Sequence, residues 1–88
     1  MPEALDPLTK ELAAIAAAVA GHCQPCFTYH HKQALAVGAS PGAIQAVIEL
    51  ARTVRSAGDR HMDEFVTGRM SEEALKTLAT GPAGEQPA

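Results

Sequence analysis

The sequence has few aromatic residues and no concentration of positive charge. Its 88 residues include no tryptophan, one tyrosine and two phenylalanines, so that aromatic residues make up 3%. Seven lysines and arginines are dispersed along the chain against ten acidic residues, which gives a formal net charge of −3. Proteins bind nucleic acid through basic patches and aromatic stacking, and they bind anionic membranes through basic clusters. The sequence therefore predicts neither nucleic acid nor membrane as a partner.

Long apolar runs and targeting signals are also lacking. The apolar run at residues 12–20 is shorter than the ~20 residues that a membrane-spanning helix needs. Residues 1–6 are acidic, whereas a secretory signal peptide begins with basic residues. We therefore expect a cytoplasmic protein, and the sequence predicts no cofactor.

Alternating β-branched residues, the pattern of a β-strand, are lacking, whereas helix start signals recur. Asp6-Pro7 and Ser40-Pro41 each pair a capping residue with a proline suited to the first helical turn. These signals and the apolar spacing predict an all-α fold with a helical hairpin, a long third helix and a short fourth helix, at about residues 7–20, 24–37, 41–67 and 72–79. We expect one domain over residues 1–80 and a flexible tail over 81–88.

Several of these boundaries depend on glycines. Gly21 is predicted to adopt the left-handed conformation that ends the first helix, and Gly38 to end the second. Gly58 is predicted to mark a bend or a close helix crossing within the third helix. Gly68 is predicted to end that helix, after which Ser71 caps the fourth.

Large apolar side chains are scarce for a chain that must build a core. Eighteen of the residues are alanine, and 19 are large aliphatic, methionine or phenylalanine residues other than Met1. Alanine adds helix propensity but little buried area. A chain of this length buries only roughly 60% of its unfolded surface. We therefore expect the protein to associate with copies of itself.

The only two cysteines form a C-x-x-C pair, Cys23 and Cys26. Pro25 places Cys26 in the first turn of the second helix, where free N–H groups and the positive end of the helix favour a thiolate. Cα atoms three residues apart across a helix start lie about 5–6 Å from each other, which suits a reversible disulfide. A cytoplasmic C-x-x-C is more often redox-active or metal-binding than structural. The alternative is a pair of buried, inert thiols.

His30 lies four residues after Cys26, one turn along the same helix face. An imidazole in that position can exchange a proton with the thiol near neutral pH. The alternative for His30 is a histidine packed in the core. His31 is predicted to face solvent, His22 lies in the turn as a weaker candidate, and His61 is assigned a structural role.

Glu11 is predicted to lie near His30. The first two helices form an antiparallel hairpin around residues 21–23, and at 1.5 Å per residue Glu11 and His30 fall within roughly one turn of the same level. A carboxylate at that level can orient the imidazole directly or through water. The alternative is a surface glutamate paired with a lysine.

The pattern of Glu11, eleven residues, Cys23-x-x-Cys26 and then His30 resembles the AhpD-like alkylhydroperoxidase branch of the carboxymuconolactone decarboxylase family. The resemblance covers about residues 8–67. It implies a small AhpD-like helical domain that assembles as a homo-oligomer, often a trimer or a hexamer. It also implies a peroxide or disulfide substrate, with re-reduction by a dithiol or a protein reductant.

The resemblance further implies a role for each residue of the pattern. Cys26 would carry the sulfenic acid, and Cys23 would donate a proton and then resolve the sulfenic acid into a disulfide. Glu11 and His30 would form the proton relay. The best-known peroxidase members have a histidine before the second cysteine, where this chain has Pro25, and proline cannot relay a proton. A general thiol–disulfide oxidoreductase is therefore the second form of the same hypothesis.

Two other classes of function stay open from the residues alone. One is a zinc protein, whose nitrogen and sulfur ligands would come from the cysteines and histidines near the turn: Cys23, Cys26, His30 and either His22 or His31. Ligands this closely clustered make a poor tetrahedral cage. The other is a catalytically silent, alanine-rich oligomerisation module.

Overall fold

The structure is a computed structural model that describes the backbone of residues 4–80 and the side chains of residues 4–78. All of its regular secondary structure in this range is helical. Along the chain lie three helices: α1 (Pro7–Ala20), α2 (Gln24–Ala36) and α3 (Pro41–Thr80). The chain forms two compact units, Met1–Ala57 and Gly58–Ala88. The expectation of one domain over residues 1–80 stays a prediction, and the expected tail at 81–88 lies outside the described residues.

Short polar side chains begin the helices as the sequence signals predict. The Asp6 carboxylate accepts the backbone N–H of Thr9 at 2.7 Å, and the Ser40 hydroxyl accepts the N–H of Ala43 at 3.0 Å. Each bond satisfies one of the N–H groups that have no partner within the first helical turn. The backbone hydrogen bond from Thr9 also lowers the pKa of Asp6 below its ordinary value, because it stabilises the carboxylate form.

The end of α1 differs from the prediction in which residue is left-handed. Gly21 has φ −88° and donates its N–H to the carbonyl of Ala17 at 2.8 Å, so it still completes the last turn. His22 is left-handed instead, with φ +58°. The N–H of Cys23 then bonds back to the carbonyl of Ala18 at 3.0 Å, which is the closing bond of a Schellman motif. The motif ends at Cys23, so the first cysteine follows α1 after only two residues.

The core of the Met1–Ala57 unit is small and lies where α1, α2 and the start of α3 meet. Its buried residues are Ile15, Ala34, Ala39 and Ile44, with Leu12, Phe27, Val47 and Ile48 packed against them. Ile15 is fully buried, and burial of such a side chain contributes about 1.5–3 kcal/mol. Ala18 of α1 and Ala34 of α2 are both buried, and side chains this small allow the two helices to approach closely. This packing holds the two arms of the hairpin in a fixed register.

The third helix runs without interruption to Thr80, so the predicted end at Gly68 and the separate fourth helix at 72–79 are wrong. An interior glycine costs only about 1 kcal/mol relative to alanine, which good helix formers on both sides can offset. Ser71 lies inside the helix rather than at a cap. Apart from its chain neighbours and the nearby backbone of its own helix, no described atom lies within 4 Å of the position that a Cβ on Gly58 would take, so the predicted close crossing is absent there. The alternative of a bend stays a prediction.

Every described side chain from residue 58 to residue 78 is exposed. Within this stretch, oppositely charged side chains pair one helical turn apart: Arg60 with Glu64 at 3.7 Å and Lys76 with Glu73 at 3.7 Å. Pairs of this kind stabilise an exposed helix by about 0.3–0.5 kcal/mol each. Within residues 4–80, no helix combines the length and the apolar character that crossing a membrane requires.

Candidate functional site

Cys23 and Cys26 are joined by a disulfide whose Cα atoms lie 5.2 Å apart. Cys23 is the N-cap residue of α2, and its sulfur accepts the backbone N–H of Cys26 at 3.3 Å. Cys26 therefore occupies the first turn of α2 and is exposed, whereas Cys23 is partly buried. The disulfide lies at the positive end of a helix, where a thiolate released by reduction would be stabilised.

Glu11 and His30 form a direct contact between α1 and α2. The carboxylate oxygen Oε2 of Glu11 lies 2.6 Å from Nδ1 of His30, with no bridging water needed. The two side chains retain 14% and 30% of their exposure, respectively, so the pair is largely shielded from solvent. A hydrogen bond at Nδ1 directs the proton of the neutral imidazole to that nitrogen and leaves Nε2 as the basic atom.

The hairpin explains how residues distant in sequence converge at one place. Packing of Ile15 against Ala34 sets the register of α1 against α2 and brings Glu11 to the level of His30. His30 follows Cys26 by four residues, so both project from one face of α2, one turn apart. The rings of Tyr29 and His30 lie nearly perpendicular to each other, with centroids 5.0 Å apart.

The other histidines do not join this arrangement. His31 was expected to face solvent, but it is partly buried because its ring stacks on Phe27, with centroids 5.6 Å apart. His22 is exposed beside Cys23 in the left-handed turn, and His61 is exposed on α3. Among residues 4–80, no group of three or more histidine, cysteine or acidic side chains is arranged to hold a metal ion.

Sequence reasoning missed two arginines that line the same groove as Cys23. A groove of about 410 Å³ is lined by the end of α1, the start of α2 and one face of α3: Ala18, Val19, His22, Cys23, Gln24, Phe27, Thr28, Ile48, Arg52 and Arg55. Arg55 donates a hydrogen bond from its guanidinium to the carbonyl of Val19 at 2.9 Å, which caps the end of α1. The two arginines are three residues apart on a helix, and that spacing was the available signal that they share a face.

The described residues thus combine an all-helical fold with a disulfide at a helix start and a carboxylate–histidine pair whose histidine lies one turn along the same helix. The profile of the carboxymuconolactone decarboxylase family matches residues 1–63, so the chain belongs to that family. This confirms the family identified from the sequence pattern, and the all-α fold class is confirmed with it. The family includes both decarboxylases and alkylhydroperoxidases, so membership alone does not define the reaction. Comparisons with curated proteins and with solved structures found no significant match.

Proposed function

We propose that this protein is a thiol-dependent peroxidase or disulfide oxidoreductase that uses Cys23 and Cys26 as a reversible redox pair. The observation that carries the proposal is the disulfide at the start of α2, one helical turn from a histidine already bound to a carboxylate. Decarboxylases of the same family generally do not depend on a cysteine pair. The pair therefore favours redox chemistry over decarboxylation.

The oxidative half of the cycle starts from the dithiol form. The Cys26 thiolate attacks one oxygen of a peroxide, the O–O bond breaks, and an alcohol or water leaves after protonation, with Cys26 as the sulfenic acid. The Cys23 sulfur then attacks Cys26, and water leaves as the disulfide forms. With a disulfide substrate, Cys26 instead forms a mixed disulfide, which Cys23 resolves. Both routes end in the bonded pair present in the structure.

His30 serves this chemistry by taking a proton from the thiol of Cys26 and returning one to the leaving group. Glu11 holds the imidazole through Nδ1 and fixes its orientation during the transfer. Pro25 has no proton to give, so we assign the relay to His30 together with Glu11. This arrangement suits disulfide substrates at least as well as peroxides.

The proposal extends to partners and assembly. A dithiol or protein reductant regenerates the thiols, and the cytoplasm, where such reductants are abundant, is the compartment we infer. Within residues 58–78, large apolar side chains are exposed along α3: Met62, Phe65, Val66, Met70, Leu75 and Leu78. This exposure supports a homo-oligomer in which copies of the chain cover them; by resemblance we propose a trimer or a hexamer.

Consumption of peroxides and of small disulfides tests the proposal, measured with a panel of dithiol donors. We expect turnover by the wild type, and loss of turnover in Cys26→Ser and in Cys23→Ser. His61→Ala is the matched control, because His61 is exposed on α3 and belongs to the other compact unit. Cysteine variants that retain wild-type turnover would overturn the proposed function.

A further inference from the structure

The groove beside the disulfide has a charge opposite to that of the chain. The chain carries a formal net charge of −3. The described residues that line the groove nevertheless include two arginines, Arg52 and Arg55, and no aspartate or glutamate. The Met1–Ala57 unit has only four lysines and arginines, so half of them line this one groove. Such a concentration of positive charge in the groove that Cys23 lines points to an anionic ligand.

The guanidinium groups of Arg55 and Arg52 differ in how many of their N–H donors are free to bind a ligand. Arg55 uses one N–H for the carbonyl of Val19 at 2.9 Å and is thereby fixed in place with donors remaining. Arg52 lies 3.8 Å from the exposed carboxylate of Glu49, a distance at which the pair contributes little. A carboxylate can displace that contact and accept two parallel hydrogen bonds from a guanidinium.

The groove also distinguishes the two sulfurs. Among the described residues, Cys23 is the half of the disulfide that lines it, together with the apolar side chains of Phe27 and Ile48. Cys26 lies in the first turn of α2, where the helix stabilises a departing thiolate. Thiol–disulfide exchange is faster when the leaving sulfur is the better stabilised one. A ligand in the groove therefore meets the sulfur that should be attacked.

We propose that the groove binds the carboxylate of a small thiol that reduces the protein, with Arg52 and Arg55 as its anion-binding groups and Cys23 as the sulfur attacked. This inference rests on the proposed redox function and names the chemical class of the reductant. The apolar wall formed by Phe27 and Ile48 fits a short hydrocarbon chain between the thiol and the carboxylate.

The reduction balances as two exchange steps. The donor thiolate forms a bond to the Cys23 sulfur, the Cys23–Cys26 bond breaks, and its electron pair leaves on Cys26 as a thiolate, which takes a proton. A second donor thiolate attacks the donor sulfur of the mixed disulfide, and Cys23 leaves and takes a proton. Two donor thiols thus become one disulfide, and the protein gains two electrons and two protons.

The test compares 3-mercaptopropionate with its neutral isostere 3-mercaptopropionamide as reductants of the oxidised, full-length protein. The rate of disulfide opening is followed by acid quenching, alkylation and mass spectrometry. For each thiol the variant rate is divided by the wild-type rate, so that intrinsic differences between the two thiols cancel. We expect Arg52→Gln to slow the carboxylate by roughly 3- to 10-fold, the effect of one charge near contact distance, and to leave the amide unchanged.

Further variants separate charge from structure. Arg52→Lys should restore most of the carboxylate rate, and Glu49→Gln should raise it by removing the competing anion. Lys32→Gln is the matched control, because it removes one positive charge from an exposed position on α2 away from the groove. High salt should abolish the preference for the carboxylate. Tandem mass spectrometry of the quenched intermediate should locate the adduct on Cys23.

The outcomes distinguish this inference from the proposed function. If both thiols open the disulfide but Arg52→Gln slows them equally or not at all, the anion site is wrong and the redox function stands. An adduct on Cys26 would likewise overturn the assignment of Cys23 as the sulfur attacked. If neither thiol opens the disulfide and no peroxide or disulfide is consumed, the proposed function fails and this inference fails with it.

Discussion

His30 and Glu11 lie 19 residues apart in the chain and meet through a 2.6 Å contact between Nδ1 and Oε2. The contact crosses from α2 to α1, and it depends on the packing of the hairpin rather than on either helix alone. A carboxylate bound at Nδ1 fixes both the orientation of the imidazole and which nitrogen is basic. The contact is therefore the structural basis of the proposed proton relay.

The first prediction is that Glu11 and His30 act as a unit with Cys26. His30→Ala should lower peroxide or disulfide turnover by on the order of 10²-fold, the usual scale for loss of a proton-transfer group. Adding Glu11→Gln to it should cost little more, because Glu11 acts through the imidazole. The rate of Cys26 alkylation in the reduced protein gives an independent measure. If Glu11→Gln leaves that rate unchanged, Glu11 is a structural carboxylate only.

The second prediction concerns the disulfide itself. Mild oxidation of the reduced protein should remove two hydrogens in mass spectrometry without linking two chains, and a dithiol should reverse it. Because the bond closes a loop of only four residues, reduction should lower the free energy of unfolding by no more than about 2 kcal/mol. Urea unfolding followed by circular dichroism checks this. Loss of helix on reduction would show that the bond is a structural staple.

The third prediction separates the two arginines by their contribution to stability. Arg55→Met removes the hydrogen bond to the Val19 carbonyl and should cost about 1–2 kcal/mol of unfolding free energy. Arg52→Met removes only a long, exposed ion pair with Glu49 and should stay within about 0.5 kcal/mol of wild type. Urea unfolding of both variants side by side is the measurement. Equal losses would mean that the capping bond does not stabilise α1.

The fourth prediction is a pH dependence at the start of α1. The pKa of Asp6 is lowered from 3.8, chiefly by the backbone hydrogen bond from Thr9, so folding favours the ionised carboxylate. The contribution of the Asp6 carboxylate to folding stability is complete at a pH above its ordinary pKa of 3.8. That contribution is lost as the pH falls through the lowered pKa of the folded state. Asp6→Asn keeps a good capping residue but cannot titrate at this position. The stability difference between wild type and Asp6→Asn should therefore change in strongly acidic solution and stay constant near neutral pH.

The fifth prediction is the oligomeric state. Light scattering should give a mass well above the 9.2 kDa of one chain at micromolar concentration. Phe65→Asp should lower that mass, because it places a charge among the exposed apolar side chains of α3. Phe65→Leu is the matched control, since it keeps a large apolar side chain at the same position. A monomer at wild type would contradict this prediction.

The helices were predictable from the sequence where their signals are local. The bounds of α1 agree with the predicted 7–20, and α2 ends one residue before the predicted 37, because caps, prolines and closing turns act within a few residues. The third helix was predicted to end too early. Gly68 and Ser71 carry a weak helix-stopping preference, and the preference of the flanking residues for helix overrides it.

The sequence by itself determined the helical class, the family and the cysteine spacing that permits a disulfide, since each of these is set by residues close together in the chain. Only the tertiary structure decided that Glu11 touches His30 directly and that Arg52 and Arg55 line a groove with Cys23. Helix rise gives the level of a residue along a hairpin to about one turn. It does not fix which side chains face each other, because that depends on how the two helices rotate to bury their apolar faces.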